Sequence, residues 1–446
     1  MKSTGLLIAA ALLAVLSGVI WWSNKKEAAS GKTEADSSPK ILSLDQSAVT
    51  SFSIERNGQP KLALVKNGSD WQITNPAQFP ADQDSVSSLL STLSPLSSQH
   101  LIEDQLSDPA PYGLSAPDFI LTATSKGNKT QKLLIGEQTP SGNAYYAMLA
   151  GEPRVFTIAG YSKTSLDKSS NDLRDKRLLA TDFDKVSQIE LRSRAKEQQL
   201  TLARSRDAWQ ILKPAPYRAD SARVEDLFRT LREAKMDLSN SRDDAKTAAA
   251  FESGQPFADA KLTGATGTLE LEIRKTKDQD DYYAKSSAVR GIYKVASTTA
   301  TGLRKSLDDF RNKKLFDFGY QEPEKIEIHD DVKPSFLTRS GADWWGPDGK
   351  KLDSSTVDSV VEKIRSLTAT EFPNSGFISP ILQLTVTSNE GKRVERISIS
   401  KKNDNSFIAK REDEPALYEL SAPAVSELQD AAGKVKAAAP SPPAKN

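Results

Sequence analysis

The feature that most constrains this chain is that it repeats itself at long period. Asp70-Trp71-Gln72-Ile73 returns as Ala208-Trp209-Gln210-Ile211, an offset of 209 − 71 = 138, and a weaker third copy stands at Asp343-Trp344-Trp345. After each tryptophan come an aspartate and, four residues on, a valine: Asp82/Val86, Asp220/Val224 and Asp353/Val357. Each pair opens an apolar ladder: Val86, Leu89, Leu90, Leu93; Val224, Leu227, Phe228, Leu231; Val357, Val360, Val361, Ile364. Spacing of i, i+3, i+4, i+7 is one face of an amphipathic helix. Aspartate just ahead of such a helix is a preferred N-cap, because its carboxylate accepts from free backbone N–H groups.

Later landmarks keep the same order. Ala144-Tyr145-Tyr146-Ala147 recurs as Asp281-Tyr282-Tyr283-Ala284 and Ser406-Phe407-Ile408-Ala409. Val155-Phe156-Thr157-Ile158 corresponds to Ile292-Tyr293-Lys294-Val295 and Leu417-Tyr418-Glu419-Leu420. Repeats one and two close alike, with Asp172-Leu173-Arg174-Asp175-Lys176 against Asp309-Phe310-Arg311-Asn312-Lys313, whereas repeat three shows no such closing phrase. So many ordered landmarks mean one supersecondary unit used three times.

Each unit reads as short strands, one amphipathic helix, then more strands. In repeat one the strands are expected over 49–55, 61–65 and 71–74, and after the helix over 119–124, 131–135, 145–149 and 154–158. Repeat two matches with 200–203, 269–274 and 282–285. Asn57-Gly58 and Asn67-Gly68 suit hairpin turns, since both residue types tolerate positive φ. The expected class is α+β, three tandem repeats of antiparallel sheet with helices on one side, preceded by one transmembrane helix. The expected divisions are 41–180, 181–318, a truncated 319–430, and a disordered tail over 431–446 rich in Ala and Pro.

The transmembrane expectation rests on residues 5–22, GLLIAAALLAVLSGVIWW, which carry no charge. Eighteen helical residues rise roughly 27 Å, close to a hydrocarbon core of about 30 Å. Trp21 and Trp22 stand where interfacial indoles sit, and no small-x-small cleavage site closely follows. Residues 23–40 read as a polar tether. Such a chain would be a single-pass inner-membrane protein with its bulk periplasmic.

Lys+Arg 60 against Asp+Glu 59 leaves no basic excess for phosphates, which argues against nucleic acid. Cysteine is absent, so disulfides, thiolate metal sites and cysteine nucleophiles are excluded. His100 and His329 are the sole histidines and share no carboxylate pattern. No cofactor or metal is expected.

With these landmarks the chain resembles a bacterial family catalogued as a domain of unknown function, number 4340. The resemblance is carried by Pro111-Tyr112-Gly113-Leu114 with Pro117, Lys132-Leu133-Leu134-Ile135-Gly136-Glu137, and Tyr145-Tyr146 with Val155-Phe156-Thr157-Ile158. Asp207-Ala208-Trp209-Gln210-Ile211-Leu212-Lys213-Pro214 with Ala219-Asp220-Ser221 adds the other recurrent phrase. The resemblance implies one N-terminal anchor and an accessory role beside gliding-motility-type ABC-transporter parts. It brings no catalytic residue. Repeat two has lost the Tyr-Gly-Leu phrase, so repeat one alone holds it complete.

Individual residues carry paired readings. The repeated tryptophans read as core, with a ligand-binding stripe as the other reading. Asp82, Asp220 and Asp353 read as caps more readily than as cation ligands. Arg174, Lys176, Arg311 and Lys313, at matching places in the two closing phrases, are candidates for docking a partner. Tyr112, Tyr145 and Tyr146 are candidates for binding an envelope polymer or lipid. Gly31-Lys32-Thr33 lacks the rest of a phosphate loop, Ser165-Leu166-Asp167-Lys168 lacks its partner motifs, and Asp278-Gln279-Asp280-Asp281 lacks calcium-loop spacing. The leading expectation is a non-enzymatic adaptor for an integral-membrane complex such as an ABC permease. The alternatives are a polymer or lipid binder, and a hydrolase that would need carboxylates such as Asp82 and Asp104 in one cleft.

Overall fold

The computed structural model describes residues 40–193, 198–205, 208–239, 244–277, 280–319, 322–330 and 334–439. Its contacts divide the chain into two compact bodies, Met1–Lys176 and Arg177–Asn446. The first body holds one antiparallel sheet and the second holds two.

In repeat one the sheet runs, edge to edge, through Phe79–Pro80, Asp70–Asn75, Leu62–Asn67, Val49–Arg56, Phe119–Ser125, Lys129–Gln138, Ala144–Leu149, Val155–Ala159 and His100–Glu103. Repeat two follows the same path through Tyr217–Arg218, Ala208–Lys213, Gln198–Ser205, Val186–Ser193, Gln255–Gly264, Gly267–Lys275, Tyr282–Ser286 and Ile292–Val295. Repeat three runs through Asp343–Trp345, Ser335–Ser340, Lys325–Asp330, Leu382–Ser388, Arg393–Lys401, Ser406–Arg411 and Leu417–Ser421. Even the irregularities recur. The first strand of repeat one slips register between Val49 and Ser51, which lets Val49, Phe52 and Ile54 all face the core. Repeat two slips likewise between Val186 and Gln188.

The expected class needs correction. Sheets of nine, eight and seven strands dominate, and the helices are short elements laid against them. The transmembrane helix of the expected class is not found: no helix among the described residues is long and apolar enough to cross a membrane. Residues 5–22, which carried that expectation, lie outside the described residues, as do residues 23–39 of the expected tether. The ladder helices stand where they were expected, and further helices such as Asp244–Ser253 and Ala422–Gly433, which carry no such ladder, join them.

The ladders form the helices Gln83–Leu93, Ser221–Arg232 and Ser354–Ser366, and in each all four apolar positions are buried. Four such side chains contribute about 8 kcal/mol as an upper bound, at roughly 2 kcal/mol each. Asp82 accepts from the Ser85 amide, Asp220 from Ala222 and Arg223, and Asp353 from Ser355, so all three are N-caps. Trp71, Trp209 and Trp344 are buried beneath or beside these helices. Trp209 meets the helix residue Phe228 edge-on at 5.6 Å. Every repeat has its own hydrophobic core.

Two short backbone pairings complete each repeat. A leader pairs with the segment after the ladder helix, at Lys40↔Ser97, Arg177↔Lys235 and Lys314↔Thr368. A closing segment pairs just ahead of the helix, at Ala81↔Arg174, Ala219↔Arg311 and Leu352↔Ala437. The cap aspartates donate their own amides to this segment, Asp82 to Leu173, Asp220 to Phe310 and Asp353 to Lys436, at 2.8, 2.8 and 2.9 Å. Repeat three therefore does have a closing segment, supplied by residues 435–438 after the helix Ala422–Gly433. The expected tail over 431–446 is corrected accordingly: it is structured through 439, and 440–446 lie outside the described residues. The sequence hid this because backbone hydrogen bonds at such a bridge impose no side-chain pattern.

Candidate binding surfaces

The phrase that carries the family resemblance is a steric lock. Ala110–Tyr112 forms a single 3-10 turn, Gly113 takes the left-handed conformation at φ +66°, and Leu114 drops into the interior at 3% exposure. The turn lies directly on Gly136 of the neighbouring strand. A β-carbon on Gly136 would overlap the carbonyl oxygen of Tyr112, and one on Gly113 would stand 2.9 Å from the Glu137 amide nitrogen. Two glycines are needed because two backbones touch. Repeat two solves the same position differently: the helix Asp244–Ser253 covers the sheet, and the Arg274 guanidinium lies 4.5 Å over the Phe251 ring.

The three candidate tyrosines do not form one surface. Tyr112 and Tyr146 meet edge-on at 4.9 Å, and the Tyr112 hydroxyl donates to Glu103. That bond, with burial behind it, holds the Tyr112 phenol above its usual range. Tyr145, next along the strand, points the other way. It packs on the core and receives the Lys163 ammonium 5.7 Å over its ring. Asp82 is committed as a cap, while Asp104 is exposed on the loop after His100–Glu103.

The candidate docking residues divide as well. Arg174 is 8% exposed, with its guanidinium 3.8 Å over the Phe79 ring. Arg311, also 8% exposed, lies between Tyr217 at 4.3 Å and Phe372 at 3.9 Å. These arginines staple their closing segments to the sheet through stacked rings rather than facing solvent. Lys176 is half-buried and Lys313 exposed.

A feature that sequence reasoning missed joins repeats two and three inside the second body. Arg218 leaves the edge strand of repeat two and enters a polar pocket of repeat three. Its Nε donates to Glu414 at 3.0 Å, one terminal nitrogen to Asp317 at 2.5 Å, and the other to the Lys314 carbonyl at 2.6 Å and the Tyr418 hydroxyl at 3.0 Å. The Arg218 amide also donates to Glu414, at 3.1 Å. Beside it, Arg411 grips Asp413 bidentately at 2.8 and 2.9 Å, reaches Glu395 at 3.1 Å, and donates to the Leu315 carbonyl. Arg411, Glu395 and Glu414 are each under 9% exposed.

Two guanidinium groups thus hold four carboxylates. Burial pushes the Glu395 carboxyl up, against the Asp317 amide and Arg411, which favour its ionised form; its second oxygen has no hydrogen-bond partner among the described residues. Burial also works against Arg218, but Tyr418, Asp317 and Glu414 raise it overall, so it stays charged. No local motif announces such a joint: Pro80, the matching position in repeat one, has no donor to offer. Its members lie up to 200 positions apart in sequence.

Comparison with known proteins adds one finding. A family model described as a domain of unknown function (DUF4340) matches residues 71–210 and again 209–381. No curated protein matches the chain. Each match starts at or beside a core tryptophan inside the third strand of one repeat, so the matched stretches are out of phase with the folded units. The matches span most of the chain, and the protein belongs to the DUF4340 family.

Proposed function

We propose that this protein is a non-enzymatic extracytoplasmic adaptor, an accessory subunit of an envelope or ABC-transporter-type membrane complex. The observation that carries the reading is the Arg218 joint. Burying charges costs several kcal/mol per ion before pairing, so an ionic seam is a poor choice for stability alone. What it supplies is register, since the donors of one arginine meet their acceptors in a single arrangement. A chain that reuses one unit and fixes two copies at a set register suits a part that holds partners at defined spacing.

The test is in-cell crosslinking of the full chain carrying a C-terminal tag, followed by detergent extraction and mass spectrometry. Co-recovery of an integral-membrane partner, an ABC permease foremost, is the expected result. Recovery of the protein alone refutes the adaptor.

A further inference from the structure

The internal repeats act as a control on which surface residues the fold requires. On the ladder helix of repeat two the exposed flank carries Arg223, Asp226 and Arg229. The matching positions are Ser85, Ser88 and Ser91 in repeat one, and Thr356, Ser359 and Glu362 in repeat three. The same helix, cap and ladder form in all three repeats, so folding does not demand the two arginines.

They line a cleft of about 420 Å³ between this helix and the closing segment, whose other wall carries Lys305, Arg311 and Lys313. The carboxylates in the cleft are already engaged. Asp220 accepts from the first amides of the helix, and Asp309 from the Ser306 amide and hydroxyl. Asp226 is shared by both arginines, and Asp308 stands 3.4 Å from Arg311. Arg223 and Arg229 keep about two thirds of their side-chain surface, at 64% and 66%. Lys305 and Lys313 are exposed. Arg311 is more than nine-tenths buried at the base, its Nε without a hydrogen-bond partner among the described residues. Cationic donors thus outnumber the free acceptors facing them.

We infer that this cleft in repeat two docks an acidic, extended segment of a protein partner, whose carboxylates reach Arg223, Arg229, Lys305 and Lys313. The inference rests on the adaptor reading and names where on the chain it operates. Arginine forks favour carboxylate planes, and exposed lysines add steering without fixed geometry. Tyr217 and Phe372 hold Arg311 in place, so the base of the cleft stays cationic.

The experiment titrates the full chain with a fluorescein-labelled peptide of alternating Glu and Ser, over a salt series. The triple variant Arg223→Ser, Asp226→Ser, Arg229→Ser installs the residues of repeat one and so keeps a helix already known to this fold. About tenfold weaker binding with a shallower salt dependence is expected, from two lost exposed charge contacts. Unchanged affinity overturns the proposal, and so does full displacement of the peptide by inorganic phosphate at matched charge, which would mark a small-oxyanion site. The same variant is then crosslinked in cells. A partner lost only from the variant supports the cleft, and a partner kept by both overturns it while leaving the adaptor intact. If the wild type captures nothing, the adaptor fails and the peptide titration alone decides the cleft.

Discussion

Replacing Arg218 by alanine tests whether the seam between repeats two and three holds them together. The arginine side chain is 15% exposed, Glu414 5% and Asp317 31%. Removing one partner from a buried ion pair costs about 3–5 kcal/mol, mostly because the remaining charge stays buried. The Glu414 contact belongs in that range. Asp317 keeps its bond from Asn312 and can rehydrate, so its share is nearer the surface value of about 0–1 kcal/mol. The expected loss is about 4 kcal/mol. With a urea slope of about 3 kcal/mol/M, at the upper end for single domains, the midpoint of the second body falls by roughly 1.3 M. Trp209 and Trp344, both buried there, report it by fluorescence, and hydrogen exchange separates it from the first body. Amides at the seam, Leu315 and Ala369 among them, should lose protection first. A loss below about 1 kcal/mol, or equal loosening of residues 40–176, would refute the reasoning. Pairing Arg218→Met with Glu414→Leu should recover much of the stability, since apolar replacement of a whole buried pair is often neutral or better.

Other expectations follow from the same geometry. Gly136→Ala forces the Tyr112 turn off the sheet and should cost about 2–3 kcal/mol, read as a lower melting temperature with faster exchange over 110–114. Trp209→Ala should cost about 3–5 kcal/mol by cavity formation, while Trp345→Ala, at a position 36% exposed, should stay within about 0.5 kcal/mol in urea titrations. Glu395 has a raised folded-state pKa, so its contribution is lost as pH rises through that value and is fully present below the unfolded one, near 4.5. Thermal midpoints of the second body should therefore rise as pH falls through the raised Glu395 value towards 4.5, and Glu395→Gln should flatten that rise. Asp413, held below its usual range despite burial by Arg411, opposes this only in stronger acid.

Much of the fold was legible because its signals are local and periodic. Ladders such as Val224, Leu227, Phe228 and Leu231 place a helix face, and the aspartate before each ladder places its start. The strand carrying Trp71, expected over 71–74, runs over Asp70–Asn75. The Asn-Gly hairpins were less faithful: glycine alone turns left-handed at Gly58 and Gly68, and the first turn spans 57–61. The candidate site residues were legible as residues but not as surfaces. Arg174 and Arg311 looked exposed because charge suggests solvent, yet a guanidinium stacks on aromatic rings and can be nearly buried.

The sequence by itself determined the threefold plan, the position of each ladder helix and the identity of each core tryptophan, because all three depend on spacing along one chain. Tertiary structure alone decided that repeats two and three form one body. Arg218 meeting Asp317, Glu414 and Tyr418, and Arg311 lying between Tyr217 and Phe372, join them through groups whose separations in sequence say nothing of their distance in space. It also decided that residues 435–438 close repeat three, since a backbone hydrogen bond needs only a chain in the right place and leaves no mark on side-chain identity.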